Sequence, residues 1–164
     1  MDAKQLSELV IRPTLKKLGL YSLSAERLIL GTIYQESLGR FLKQVPNGPA
    51  LGLIQMEPET YHDIWTHFLA YRRDLSNRVT SLASVDSLGD NMRPHETQLI
   101  SNLEFAVAMC RVHYLRARPK LPAPDDIEGL GRYWKEHYNT HLGAGTPAEF
   151  VEKFPKSILK EGQQ

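Results

Sequence analysis

In almost every segment of this chain apolar residues recur three or four positions apart, and runs alternating with a period of two are scarce. A chain patterned in this way buries helix faces against one another and has little from which to build a sheet. The strongest run spans about 95–116, where Leu99, Leu103, Ala106, Val107, Cys110 and Tyr114 define one central helix. Residues 3–18 place Leu6, Leu9, Val10 and Leu18 near one face, with Pro13 kinking or dividing the helix and Gly19 closing it. Ser22 or Ser24 caps the next helix, which buries Leu28, Ile29 and Ile33 and ends near Leu38-Gly39. Pro58 opens a helix carrying Tyr61, Ile64, Trp65 and Phe68. Residues 72–95 are polar and form the longest irregular stretch, anchored by Leu75, Val79, Leu82 and Leu88. Prolines 119, 122 and 124 make a stiff connector before a helix marked by Ile127, Leu130, Trp134 and Tyr138. Thr146-Pro147-Ala148-Glu149 is a capping box with proline at its first helical position, starting a short helix with Phe150 and Phe154 on one side.

At 164 residues, with 41% apolar and 24% charged residues, the chain suits one domain with a real core. The expected fold is mainly α, a single domain over 1–160 with a frayed tail at 161–164 and a short β-hairpin near 48–56. Charge is scattered and sums to +1, so no basic stripe marks a nucleic-acid binder. No apolar run approaches the ~20 residues that span a bilayer. The single cysteine, Cys110, removes internal disulfides and reads as a buried core thiol. Met1-Asp2-Ala3-Lys4-Gln5 lacks the character of a secretory signal, so synthesis in the cytoplasm is expected, with delivery by other means if the protein acts outside.

Glu36 lies three residues after Ile33 and seven after Ile29, on the apolar side of its helix. A carboxylate there is either a helix-end charge facing water or a partly buried acid whose raised pKa suits proton donation. Beyond Glu36-Ser37 comes a loop, then Gly48-Pro49-Ala50-Leu51-Gly52-Leu53-Ile54-Gln55-Met56-Glu57-Pro58-Glu59-Thr60. This resembles the signature of the lysozyme-like lytic transglycosylases, the soluble lytic transglycosylase and goose-type lysozyme group: Glu-Ser, a loop, then Gly-Ala-x-Gly-Leu-x-Gln-x-x-Pro-x-Thr. Ala50, Gly52, Leu53, Gln55, Pro58 and Thr60 keep the family spacing, while Pro49 replaces its first glycine. Asn102, Tyr114-Leu115 and Tyr138-Asn139 before Gly143-Ala144-Gly145 extend the resemblance over about 28–145. The Gln-Met-Glu-Pro variant looks most like the phage-borne members.

The resemblance implies a lysozyme-like fold that cleaves the MurNAc–GlcNAc β-1,4 bond of peptidoglycan and leaves a 1,6-anhydro sugar. It implies no cofactor and no metal. Glu36 becomes the acid/base, Gln55 and Tyr138 its substrate-side partners and Asn139 their support. Gly52, like Ala50, lets the backbone pass close to a sugar, and Ser37 fixes the helix end beside the substrate. Glu57 departs from the family pattern. It is either the cap of the helix that Pro58 opens or a second pocket carboxylate, which would make the enzyme a muramidase on the same bond. A catalytically silent virion or tail component that keeps the fold, with other phage proteins as partners, is the reading from a different class. Action at the cell wall, carried in a virion, fits either.

Three weaker signals remain open. His137 and His141 stand at metal-ligand spacing near a helix end, without the order of a zinc peptidase, and read as surface histidines. Tyr133 and Trp134 serve the core or a sugar-stacking platform. His113, inside the central helix, reads as a hydrogen-bonded core histidine.

Overall fold

The computed structural model of the chain describes residues 1–140 and 142–163, residues 160–163 by backbone alone. It is mainly helical, and its opening segment shows how Pro13 is accommodated. The chain runs as α-helix (Ala3–Gln5), π-helix (Leu6–Ile11) and α-helix again (Arg12–Lys17), together α1. Pro13 has no N–H and its ring crowds the preceding turn, and the wider turns just before it absorb both effects. The wider turns also rotate the inner face. Leu6, Ser7 and Ile11 are buried, whereas Leu9 is 68% exposed, a correction to its expected place.

Helix α2 (Leu23–Ser37) starts where Ser22 Oγ accepts from the Ala25 N–H at 3.1 Å. It is buried nearly all round, through Ala25, Leu28, Ile29, Leu30 and Ile33, and is the hub of the domain. Its one buried charge toward α1 is satisfied. Glu26 accepts from Arg12 Nε and Nη2 at 3.0 Å each and from Ser7 Oγ at 2.6 Å. The helix stops at Leu38 and Gly39, both left-handed at φ 54 and 62.

The loop that follows folds back without a ladder. The expected hairpin reduces to isolated bridges, Lys43 with Leu51 and Leu51 with Met56. Leu51 and Met56 exchange N–H···O bonds of 2.9 and 3.1 Å around the tight turn 52–55. Helix α3 (Pro58–His67) then begins at Pro58 and buries Tyr61, Ile64 and Trp65. Within the stretch expected to be irregular lies a further helix, α4 (Arg73–Thr80), with Val79 wholly buried. Leu75, Val79 and Leu82 stand at the i, i+4, i+7 spacing of a helix, but the many polar residues around them mask it. Tertiary contacts supply the rest, including Arg78 Nη1 donating to the Leu18 carbonyl at 2.9 Å.

The expected single helix over 95–116 is two, α5 (Gln98–Ser101) and α6 (Leu103–Leu115). Asn102 separates them with extended backbone at φ −127, ψ 101. Its Oδ1 accepts from the Phe105 N–H at 3.0 Å, capping α6, while its Nδ2 donates to the Leu82 carbonyl at 2.8 Å. Periodicity carries straight across such a cap, since Leu99 and Phe105 are both buried. Asn102→Ala removes both bonds, and urea unfolding should register a loss of about 1–2 kcal/mol.

Phe105 to Cys110 are buried without a gap, and Cys110 is a free core thiol. Helix α7 (Ile127–Trp134) continues into a π turn (Lys135–Asn139), and α8 (Pro147–Lys153) carries the expected capping box. Thr146 Oγ1 and the Glu149 carboxylate each accept the other's N–H at 3.2 Å. Helix α8 can lie against α2 because Gly31 has no side chain, since an added Cβ would collide with the Phe150 ring. A 3-10 stretch (Lys156–Gln163) follows. Gln164, at the end of the expected tail, lies outside the described residues, as does His141. Among the described residues no helix is long and apolar enough to cross a membrane.

Candidate active site

The end of α2, the loop after it, the start of α3, the side of α6 and the π turn surround one cavity of about 740 Å³, a size suited to a small ligand or a few sugar rings. Glu36 lies in its wall, with Gln55, Glu57, Thr60, His113, Tyr138 and Asn139. Five of the seven expected site residues therefore meet here: Glu36, Gln55, Glu57, Tyr138 and Asn139.

Glu36 sits one residue before the end of α2, and its side chain is held from across the domain. Trp134 Nε1–H donates to Glu36 Oε1 at 2.8 Å. Burial pushes the carboxyl up from the usual 4.5 to about 7, against the opposing pull of the Trp134 hydrogen bond and the Lys153 charge. The group is thus partly protonated near neutrality, and its second oxygen takes no protein hydrogen bond among the described residues. A carboxylic acid in that state, opening on a cavity, is equipped to give and take a proton. Trp134→Phe removes the donor that favours the charged form. The Glu36 midpoint should rise above that of the wild type, as carboxyl ¹³C NMR would record.

Sequence reasoning missed this role for Trp134. The ring is fully buried and stacks on Phe150 at 5.8 Å, so it is core and provides no sugar-stacking face. Tyr133 is also buried, and its hydroxyl donates to the Pro119 carbonyl at 2.8 Å. Only an indole offers a large apolar body with a single N–H at its edge, and that is the usable signal.

Tyr138 lines the cavity but does not orient the acid. Its hydroxyl donates to the Ile54 carbonyl at 2.7 Å, tying the π turn to the tight turn, and burial holds its pKa well above the ordinary value. Gln55 sits in the left-handed region at φ 47, and its Nε2 donates to the Gly52 carbonyl at 2.8 Å. That leaves its Oε1 for the cavity, at the modest backbone cost often met in binding sites. Asn139 Oδ1 accepts from Lys135 Nζ at 2.8 Å, and the same ammonium donates to the Gly143 carbonyl at 2.7 Å, tying Asn139 to Gly143.

Gly52 is corrected as a substrate-side residue, whereas Ser37 fixes the helix end as expected. Gly52 does not line the cavity. At φ 73 it packs against the Leu99 carbonyl, which leaves no room for a Cβ, so its role is to seat the turn. Ser37 is buried, and its Oγ donates to the carbonyls of Leu53 and Ile33 at 2.7 and 3.0 Å, binding the acid's helix to the turn. Glu57 occupies the cap position of α3 but makes no side-chain capping bond, and its carboxylate borders the cavity. Glu57 is thus the N-cap residue that one alternative expects, without a hydrogen bond from its side chain to the helix.

His113 departs from the core reading as well. It borders the cavity, and its Nδ1 is buried without a hydrogen-bond partner. Phe41, Val45 and Leu142 add an exposed apolar rim that no periodic pattern could have flagged, since all three lie in loops. His137 packs its ring on Tyr133 at 4.4 Å, and His141 lies outside the described residues. Comparison of the chain with protein-family models, with curated proteins and with solved structures finds no match.

Proposed function

We propose that the protein cleaves the glycan strand of peptidoglycan at the MurNAc–GlcNAc β-1,4 bond, with Glu36 as the single acid/base. The observation that carries this reading is the Glu36 carboxyl itself. Burial raises it to about 7, Trp134 holds one oxygen, and the group opens on a cavity of about 740 Å³ whose wall also carries Gln55, Glu57 and Asn139 beside an apolar rim. The resemblance of Glu36-Ser37 and the 48–60 segment to the lysozyme-like lytic transglycosylases supplies the substrate class.

In the proposed reaction, protonated Glu36 gives its proton to the glycosidic oxygen as the C1–O bond breaks. The resulting carboxylate then takes the proton of the muramic C6 hydroxyl, whose oxygen bonds to C1. A 1,6-anhydro ring and a free 4-hydroxyl result, the proton returns to Glu36, and no water is consumed. In this reading Gln55 Oε1 and Asn139, which border the cavity, hold sugar hydroxyls. A phage-borne enzyme delivered to the wall fits the resemblance best.

One observation favours a second reading. Glu57 borders the same cavity with its carboxylate uncommitted to a capping bond, so the cavity wall carries a second carboxylate, as a hydrolase's does. Digestion of purified peptidoglycan followed by mass spectrometry separates the schemes. Anhydro-muramyl ends support the single-acid reaction and reducing ends the hydrolase, while an intact wall supports a silent virion component. On the single-acid scheme Glu57→Gln should retain activity within about fivefold; on the two-carboxylate scheme it should fall by about 10²-fold or more.

A further inference from the structure

Helix α6 sends His113 to the cavity wall. The imidazole lies on the Tyr138 ring at 4.5 Å between centroids and 28° between planes, and Tyr138 is itself fixed by its bond to Ile54. Nδ1 is buried and has no partner, whereas Nε2 is neither buried without a partner nor bonded to any described residue. It is the nitrogen left to meet whatever fills the cavity. An orphaned buried N–H is rarer in proteins than an orphaned acceptor, so the ring proton belongs on Nε2 and the bare lone pair on Nδ1.

We infer that His113 is a glycan-binding residue that presents Nε2–H, as a neutral donor, to the carbonyl oxygen of a sugar N-acetyl group. This rests on the glycan reading of the Glu36 cavity. Burial and the Arg116 guanidinium push the imidazole down to about 3, while Asp63, which pairs with Arg116 at 2.7 Å, opposes them only in part. The ring therefore stays neutral in the range where Glu36 changes charge, and takes no part as an acid. No lysine or arginine stands among the described lining residues. A neutral donor in such a wall selects an uncharged acceptor, and an amide carbonyl is the strongest one an amino sugar carries.

The test uses the Glu36→Gln protein, which would hold the strand uncut, and calorimetric titration with the peptide-free GlcNAc–MurNAc tetrasaccharide. His113→Phe keeps the ring on Tyr138 and deletes the N–H, and should weaken binding about tenfold. His113→Gln restores a donor and should stay within about threefold of the parent. With the de-N-acetylated tetrasaccharide, His113→Phe and its parent should bind alike, a result that a merely structural role for the ring would not give. Equal weakening toward both sugars, or none toward either, overturns the inference while the glycan reading stands. A parent that binds neither sugar overturns the glycan reading beneath it.

Discussion

Glu36→Gln should reduce the release of soluble fragments from purified peptidoglycan by about 10²–10⁴-fold, the range that a positioned general acid contributes. The amide keeps the size of the side chain and can still accept the Trp134 N–H bond at Oε1, but has no proton of the right acidity to give. The loss should come with a more stable fold, because the carboxyl is raised from 4.5 to about 7 by burial. The folded protein holds that proton where the unfolded chain has released it, so wild-type stability falls as pH rises from 4.5 to 7. Above pH 7 the folded chain carries a poorly solvated carboxylate. Glu36→Gln avoids it and should be more stable there by up to about 3 kcal/mol, with the difference disappearing below pH 4.5. Thermal melts at pH 4 and pH 8 check the sign. An inactive variant that also melts lower at pH 8 would indicate damaged structure rather than a missing acid.

Gly52→Ala should be the most damaging single methyl group in the domain. At φ 73 an alanine is strained by about 1–2 kcal/mol, and its Cβ would drive into the Leu99 carbonyl, a backbone atom that cannot swing aside. Together these predict a loss of about 2–4 kcal/mol and a fall of roughly 5–15 °C in melting temperature. Activity should suffer too, since the Gly52 carbonyl accepts from Gln55 Nε2 and its N–H donates to the Leu42 carbonyl at 2.9 Å. Gly89→Ala is the control. Its nearest neighbours stand at 3.5 Å or more and its φ is ordinary, so its stability should change by no more than about 0.5 kcal/mol.

What was legible in the sequence was local. Ser22, Pro58 and the Thr146–Glu149 box act on residues within one helical turn, so the residue types alone locate those helix starts. Glu36, Gln55 and Glu57 belong to one short motif, and Tyr138 and Asn139 to an adjacent pair, so these five wall residues are legible from residue order alone. What escaped depends on partners far along the chain. The Trp134–Glu36 bond joins residues 98 apart, and the reason for Gly52 is the carbonyl of Leu99. Leu9 turned outward because a π segment changes the residues per turn, which a fixed helical period cannot register. Asn102 was invisible as a break because both flanking segments keep the apolar spacing that a single helix would show.

The central claim is that one buried carboxyl, protonated near neutrality, cleaves the glycan. The most direct measurement follows that carboxyl and the reaction together. Side-chain ¹³C NMR titrates Glu36 between pH 4 and 9, and fragment release from purified peptidoglycan by the same protein is recorded over the same range. The account predicts a carboxyl midpoint near 7 and a rate that falls with the same midpoint, about tenfold for each further pH unit. A Glu36 carboxyl that titrates at its usual value near 4.5, or a wild-type protein that releases no fragments at any pH, would contradict it.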